Sequence, residues 1–146
     1  MIIRDANLDE DALAIAEGAR KFAEKMPLGR LVSDNVINEI AKMVTLPGVK
    51  IYIAEHNGTV VGGIGVLFAP YTWNNDVLIA DELFWFVDDD APYKTAILLF
   101  NAAMKEVNEK DAIPMFRALH ESPRGVDKMY KKQGLKPVET LYVRAS

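Results

Sequence analysis

Two residues of this sequence have the chemistry of an acid–base pair. Glu82 lies in the middle of the apolar run IADELFWF, and Tyr130 precedes a glycine by four positions in the run MYKKQGLKPVE. Glu82 is either a structural acid, at a solvated strand edge or in a buried hydrogen bond, or a carboxylate whose pKa is raised by apolar neighbours. A raised pKa would suit it to take a proton from an amine. Tyr130 is either a core aromatic of an amphipathic helix or a side chain that reaches a cleft.

The elements around these residues are a strand and a short helix. Gly134 is typical of the residue that ends a helix in a left-handed conformation, so Tyr130 is expected in the last turn. The apolar run around Glu82 predicts a long strand. Strict alternation gives two sets of side chains on opposite faces: Glu82, Phe84 and Phe86 on one, and Leu83, Trp85 and Val87 on the other.

Other candidate sites are weaker. Asp88 to Asp90 point in different directions and predict a solvated loop, so we assign no metal. The chain has no cysteine, which excludes disulfides, thiolate catalysis and cysteine-based zinc sites. Its two histidines, His56 and His120, are far apart in the sequence. The glycines at 62, 63 and 65 lie inside a strand rather than in a strand–loop–helix context, so they are not a nucleotide fingerprint. They predict a bulge or a close approach of another group.

The composition is that of a globular protein. The chain has 146 residues, half of them hydrophobic, and a formal net charge of −4. This length predicts a single domain over residues 1–146, and the acidic balance argues against a nucleic-acid partner. Five charged side chains in the first eleven residues argue against a signal peptide, and no apolar run reaches the roughly 18 residues of a membrane span. We therefore expect a cytoplasmic protein without a membrane partner.

The hydrophobic periodicity predicts the element order β-α-α-β-β-β-α-β-α-β, which favours a mixed α/β sheet covered by helices. Asn57-Gly58, between two β-rich runs, predicts a two-residue hairpin turn. Asn7 or Asp9 is expected to cap the first helix and Thr95 the third. The C-terminal run PVETLYVR predicts a closing strand.

In this order the segments resemble the GNAT family of acyl-CoA-dependent N-acyltransferases. MIIRDANLDED is similar to the family's first strand and helix, and IYIAEHNGTVVGGIGVLF to its second and third strands. ELFWFV lies where the fourth strand ends beside the cosubstrate, and KMYKKQGLKPVE is similar to the closing fYeklGFkp signature. The Glu-Leu-Phe-Trp start also resembles small members that bacteriophages encode. The resemblance implies a mostly antiparallel sheet that splays between strands 4 and 5 and is flanked by about four helices.

The resemblance also implies an activity, the transfer of an acetyl group from acetyl-CoA to a primary amine by direct attack. By position, Glu82 matches the family's frequent general base and Tyr130 the tyrosine that protonates the departing thiolate. The main chain of the fourth strand would pair with the pantetheine, and the start of the next helix would hold the pyrophosphate. The residues thus implied in cosubstrate binding are Phe84, Phe86, Val87, Tyr93, Lys94, Thr95, Ala96 and Ile97.

One segment departs from the family. The family's pyrophosphate loop normally reads Q/R-x-x-G-x-G/A, whereas the corresponding segment of this chain, DDDAPYKTAILL, contains no glycine. The three aspartates of this segment would repel phosphate. This favours a second hypothesis, a binding or interaction module of the same fold with lost or weakened CoA binding. A third hypothesis is the transfer of another acyl group, with Phe84, Trp85 and Phe86 lining an acyl pocket.

The acceptor is expected to be a small-molecule or protein amine. The acidic segments at Asp76 and at 88–90 favour a cationic one by electrostatic steering. Polyamines, aminoglycoside-like molecules, protein lysines and protein N-termini all meet this description. The resembled family often forms dimers, and the sequence leaves open whether this chain forms a homodimer.

Overall fold

The computed structural model describes residues 1–24, 35–118, 125–142 and 144. Its helices and strands are, in chain order, β1 (Ile2–Asp5), α1 (Leu8–Glu24), α2 (Val36–Val44), β2 (Val49–His56), β3 (Thr59–Tyr71), β4 (Asn74–Val87), α3 (Thr95–Glu109), β5 (Ile113–Met115) and α4 (Gly125–Lys132). In the described ranges the strands form a five-stranded sheet in the order β1-β2-β3-β4-β5. Neighbouring strands are antiparallel except β4 and β5, which are parallel. The predicted mixed α/β architecture is confirmed.

Helices cover both faces of the sheet. One apolar cluster packs α1 and α2 on the sheet and includes Ile15 and Phe84. A second cluster packs α3 and α4 on the opposite face and includes Phe100 and Tyr130. A polar side chain on the central strands therefore has to find its hydrogen-bond partners inside the protein. None of the helices in the described ranges is long and apolar enough to cross a bilayer.

Local turn and cap signals behave as predicted in the hairpin and in α1. Asn57 and Gly58 have φ angles of 51° and 76°, as a two-residue turn with two left-handed positions requires. The Asn7 side-chain oxygen accepts a hydrogen bond from the Asp9 N–H at 3.2 Å, so Asn7 is the cap of α1.

A β-bulge interrupts β4 at Leu83. Gly65 of β3 pairs with Phe84, whereas the next residue, Val66, pairs with Glu82, so Leu83 has no partner on β3. A bulge inserts one residue into the strand and shifts the alternation of its side chains. The strand therefore follows one phase before Leu83 and the other phase after it.

The bulge makes the predicted alternation wrong at its centre. Phe84 and Phe86 pack in the cluster beneath α1, and Leu83 packs with them. Glu82 instead faces Tyr130 of α4, on the side where Trp85 lies. Glu82 and Leu83 have thus exchanged faces relative to the prediction, because strict alternation assumes one partner for every residue.

The glycines of β3 make room for two aromatic rings. A Cβ on Gly65 would lie 2.6 Å from the Phe84 ring, and one on Gly63 would lie 2.9 Å from the Phe86 ring. These distances are too short for real atoms, so the rings need the absence of side chains opposite them. The expectation of a close approach at these glycines is confirmed, and the group that approaches is a pair of core phenylalanines.

The predicted closing strand is wrong for the described part of its segment. Residues 135–142 form no strand, and the side chains of Val138, Leu141 and Tyr142 are exposed. Apolar alternation along a segment does not provide the partner edge that strand main-chain groups need. The last strand of the described sheet, β5, is only three residues long. His120 lies outside the described residues.

Candidate active site

Glu82 is a buried carboxylate whose place is set by the bulge in β4. Only 4% of the residue is exposed. Its Oε2 accepts a hydrogen bond from the Arg117 N–H at 3.2 Å and lies 3.4 Å from the Tyr130 hydroxyl. Of the two structural alternatives left open by the sequence, the solvated strand edge is therefore excluded. The buried carboxylate lies among groups that could exchange protons with it.

Tyr130 is held in place by the end of α4. Gly134 has a φ of 78°, and its N–H bonds to the Lys131 carbonyl at 3.0 Å while the Leu135 N–H bonds to the Tyr130 carbonyl at 3.1 Å. This pair of hydrogen bonds is the Schellman motif, which ends the helix with its last carbonyls satisfied. The predicted helix stop at Gly134 is confirmed, and it places Tyr130 in the last turns of the helix.

The side chain of Tyr130 is a core aromatic whose hydroxyl faces Glu82. Its ring packs at 5.5 Å from the Phe100 ring and 6.3 Å from the Trp85 ring, so it is a core aromatic with 8% of the residue exposed. Its hydroxyl donates a hydrogen bond to the Arg117 carbonyl at 2.6 Å and faces Glu82. A buried tyrosine keeps its hydroxyl bonded, and here the bond lies within the site.

Arg117 connects the two and was not identified from the sequence. It lies two residues after β5, and its main chain donates to Glu82 and accepts from Tyr130. Its guanidinium donates to the Glu82 carbonyl oxygen and lies 2.9 Å from Asp81 Oδ1. The available signal was an arginine just beyond a strand that runs parallel to β4, because the ends of parallel neighbours meet at one edge.

The surroundings shift the proton affinities of both candidate groups upward. Burial raises the pKa of Glu82 to about 7, against the opposing effect of the Arg117 N–H and charge. Burial also raises the pKa of the Tyr130 hydroxyl, and the neighbouring Glu82 charge adds to this. Near neutral pH the carboxyl can therefore either hold or release a proton, whereas the phenol stays protonated.

The main chain of β4 beyond the bulge is paired on one side. The Asp88 N–H bonds to the Val61 carbonyl on β3 at 2.9 Å, and alternation then directs the main-chain groups of Phe84 and Phe86 to β3 as well. Those of Trp85 and Val87 face the other edge. There β5 pairs with β4 only over Ile79–Asp81, so among the described residues this edge of β4 is unpaired after the bulge.

At the start of the helix that follows β4, the N–H groups of Ala96 and Ile97 have no hydrogen-bond partner among the residues that the structure describes. The N–H groups of Ala96 and Ile97 belong to the first turn, where an α-helix has no acceptor of its own. The N-cap, Lys94, makes no side-chain cap bond, and no acid lies in the first turn. The neighbouring Tyr93 is almost fully exposed. This end of α3 can therefore offer N–H donors to an anion.

Thr95 has a structural place in this turn. It is the first residue of α3 and not its cap, so the predicted cap is wrong. Its side chain is fully buried, and its hydroxyl donates to the Pro92 carbonyl at 2.7 Å. The Thr95 N–H donates to the same carbonyl at 2.9 Å, so both the hydroxyl and the N–H of Thr95 are bonded within the turn.

The sequence matches no protein-family model and no curated protein. The structure is similar to a GCN5-related N-acetyltransferase from Ralstonia eutropha JMP134, with a TM-score of 0.76 and 16% identity over 98% of this chain and 97% of that chain. A predicted acetyltransferase from Clostridium acetobutylicum, solved with acetyl-CoA, gives a TM-score of 0.71 and 14% identity over 98% and 95% of the chains. A protein described as a transcriptional regulator from Bacillus halodurans C-125 gives a TM-score of 0.74 and 17% identity over 98% of each chain. The likeness extends over nearly all of each chain and establishes a shared fold.

Proposed function

We propose that this chain, which has the fold of the GCN5-related N-acetyltransferases, transfers an acetyl group from acetyl-CoA to a primary amine. The proposal rests above all on one observation: the Glu82 carboxylate and the Tyr130 hydroxyl lie 3.4 Å apart at the start of the unpaired edge of β4. This supports the proposal, since a thioester bound along that edge would end beside an acceptor for one proton and a donor of another.

In the proposed reaction Glu82 is the general base and Tyr130 the general acid. The amine attacks the thioester carbonyl, a C–N bond forms, and Glu82 takes the proton that the amine loses. The C–S bond breaks, and Tyr130 gives its hydroxyl proton to the departing thiolate. A carboxyl with a pKa of about 7 is suited to the first step, since a base works best when its pKa is close to the working pH.

The ligand-free geometry has to change before this chemistry can occur. Glu82 and Tyr130 are almost entirely covered, and the Tyr130 hydroxyl proton points to the Arg117 carbonyl. The Arg117 side chain is half exposed and lies against Glu82. We infer that this side chain shifts when substrate binds and that the Tyr130 hydroxyl then turns from the carbonyl to the sulfur.

The main chain around the site fits the pantetheine and pyrophosphate of acetyl-CoA. Trp85 and Val87 can pair with the pantetheine amides on the unpaired edge. The N–H groups of Ala96 and Ile97 can bind the pyrophosphate, with Lys94 adding a positive charge. Phe84 and Phe86 support this edge from beneath, since their rings are buried against the α1 face. Acetyl-CoA would supply the acetyl group as an activated thioester.

The glycine-free turn supports a second candidate, a binding module of the same fold. No glycine occurs between Val87 and the end of α3, and Asp89 and Asp90 are exposed just before the proposed anion site. Side chains and negative charge at this place both oppose a close approach by phosphate. In this proposal these aspartates lie at the end of β4 where CoA would bind. We therefore expect them to repel the CoA phosphates more than they attract a cationic acceptor.

Calorimetric titration with acetyl-CoA separates the two candidates. Saturable binding in the micromolar range supports the enzyme and excludes the module, whereas no binding up to millimolar concentration excludes the enzyme. Titration with butyryl-CoA and longer acyl-CoAs then tests the acyl preference, and a screen of amine acceptors with a free-thiol assay tests the acceptor class.

The roles of the two residues have a kinetic test on an acceptor from that screen. Tyr130→Phe should lower kcat by about 10²-fold with little change in the Kd for acetyl-CoA, because it removes a proton donor and leaves the ring in place. Glu82→Gln should cause a loss of similar size, greatest near neutral pH. Tyr142→Phe and Glu139→Gln are the matched controls, since both residues are exposed. Wild-type rates in both site variants would show that the assigned roles are wrong.

A further inference from the structure

Arg117 is hydrogen-bonded to both proposed catalytic residues, Glu82 and Tyr130. We propose that it is the positioning residue of the site: its main chain holds Glu82 and Tyr130 together, and its guanidinium, balanced by Asp81, sets the pH at which Glu82 gains its proton. The catalytic meaning of this assignment rests on the proposed function, whereas its electrostatic content does not.

The positioning role follows from the direction of the main-chain hydrogen bonds. The Arg117 N–H donates to Glu82 Oε2 at 3.2 Å, and the Arg117 carbonyl accepts from the Tyr130 hydroxyl at 2.6 Å. One residue thus bonds to a group from β4 and a group from α4. Its side chain anchors it in turn, through the Glu82 carbonyl and Asp81. If these anchors were lost, the main chain after β5 would be less constrained and the two bonds less well defined.

The electrostatic role follows from the signs of the charges around Glu82. Within the described residues, the titratable or charged groups that face it are Asp81 on β4, Arg117 after β5 and Tyr130 on α4. Its register partner on β3 is the apolar Val66. The Arg117 charge favours the ionised carboxylate and lowers the Glu82 pKa, whereas the Asp81 charge raises it. The two charges of the Arg117–Asp81 ion pair therefore shift the Glu82 pKa in opposite directions.

An NMR titration of the Glu82 side-chain carboxyl tests this without any substrate. The carboxyl carbon is labelled with ¹³C, and its signal is assigned by its absence in Glu82→Gln. In Arg117→Gln we expect the titration midpoint to rise by about 0.5–1 pH unit, since a nearby positive charge is lost. In Asp81→Asn we expect it to fall by about 0.5 unit, since the guanidinium is then unbalanced.

Two further variants separate charge from structure. Arg117→Lys keeps the charge and should leave the midpoint within about 0.3 unit of wild type, because the charge and not the fork shape acts on Glu82. Asp76→Asn removes an exposed acid from the same strand and should leave it unchanged. The same ordering should appear in the acid limb of kcat/KM against pH, whose midpoint reports the free base.

The outcomes are distinct. Midpoints that are equal in Arg117→Gln, Arg117→Lys and wild type overturn the electrostatic role of Arg117. Midpoints that move in the same direction in Arg117→Gln and Asp81→Asn overturn the opposing controls. If the midpoints move as expected but the protein transfers no acetyl group, the proposed function fails and the assignment of the charges stands.

Discussion

Among the residues that the structure describes, two carboxylates are buried, and they meet arginines in different ways. Asp11 in α1 is 3% exposed and Glu82 in β4 is 4% exposed. Each accepts a main-chain N–H, from Asn7 at 2.7 Å and from Arg117 at 3.2 Å. The Arg4 guanidinium gives Asp11 two further bonds, at 2.8 and 3.1 Å, whereas the Arg117 guanidinium donates to the Glu82 main-chain carbonyl.

This difference decides the proton affinity of each acid. The Arg4 hydrogen bonds lower the pKa of Asp11 below its ordinary value of 3.8. Burial raises the pKa of Glu82 to about 7. The Glu82 carboxylate accepts one main-chain N–H bond, whereas the Arg117 guanidinium bonds to the Glu82 main chain, so these contacts do not offset the loss of hydration. Two carboxylates with similarly little exposed surface therefore behave differently. Asp11 is ionised at neutral pH and joins β1 to α1 through Arg4, whereas Glu82 titrates near neutrality in the candidate active site. The pKa of each acid therefore depends on whether the neighbouring guanidinium bonds to its carboxylate, as Arg4 does, or to its main-chain carbonyl, as Arg117 does.

The largest effect on stability is expected from breaking the satisfied pair. Asp11→Asn should lower the free energy of unfolding at pH 7 by about 2–3 kcal/mol, since the buried Asp11 carboxylate loses its charge-assisted hydrogen bonds. Urea unfolding with Glu24→Gln, an exposed end of a surface pair, as control measures this. The folded-state pKa of Asp11 is depressed, so its contribution is present above about pH 3.8 and lost as the pH falls below it. The variant should therefore lose less stability than wild type in that acid range, and equal acid sensitivity of the two proteins would contradict the comparison.

Glu82→Gln is expected to raise the free energy of unfolding, in contrast to Asp11→Asn. The folded-state pKa of Glu82 is raised from 4.5 to about 7, so folding binds a proton between these values and wild type loses stability as the pH rises through them. Glutamine cannot ionise and still accepts the Arg117 N–H. We expect the variant to be more stable than wild type by about 2 kcal/mol at pH 8 and nearly equal to it at pH 4, allowing for relaxation around the ionised carboxylate. Thermal unfolding across this pH range measures the difference, and a pH-independent gap would mean that Glu82 stays uncharged or stays ionised throughout.

The smallest effect is expected at the outer partner of Arg4. Glu55 lies 2.9 Å from the same guanidinium, but both side chains are about a third exposed. Glu55→Gln should therefore cost only about 0.5 kcal/mol in the same urea experiment, since solvent screens such pairs. A cost as large as that of Asp11→Asn would show that Arg4 is anchored from β2 and that the contact with α1 is secondary.

Much of the fold was predictable because its signals are local. The hairpin turn at Asn57-Gly58, the Asn7 cap and the helix stop at Gly134 each depend on a few adjacent residues, and each is confirmed. The order of elements and the resemblance of the motifs predicted the fold that the solved structures share. The closing strand failed because a strand needs a partner edge elsewhere in the chain.

The candidate site was predictable only in its residue types. An acid within IADELFWF and a tyrosine before Gln-Gly were visible, and the structure brings Glu82 and Tyr130 together. The face on which Glu82 lies was predicted wrongly, since the bulge at Leu83 depends on pairing with β3. Arg117 was missed because its bonds to the Glu82 carboxylate and the Tyr130 hydroxyl come from main-chain atoms, which every residue has, and because only the end of β5 defines its position.

The sequence by itself determined which groups could exchange protons, where the Asn57-Gly58 turn, the start of α1 and the end of α4 lie, and which segment departs from the resembled family. These features depend on side-chain chemistry and on neighbours along the chain. Only the tertiary structure decided that Glu82 titrates near neutrality while Asp11 stays ionised. Both are buried acids, and an arginine is close to each. Whether that arginine reaches the carboxylate or the main chain is a matter of a few ångströms between segments distant in sequence, and the free energy of a buried charge changes steeply over such distances.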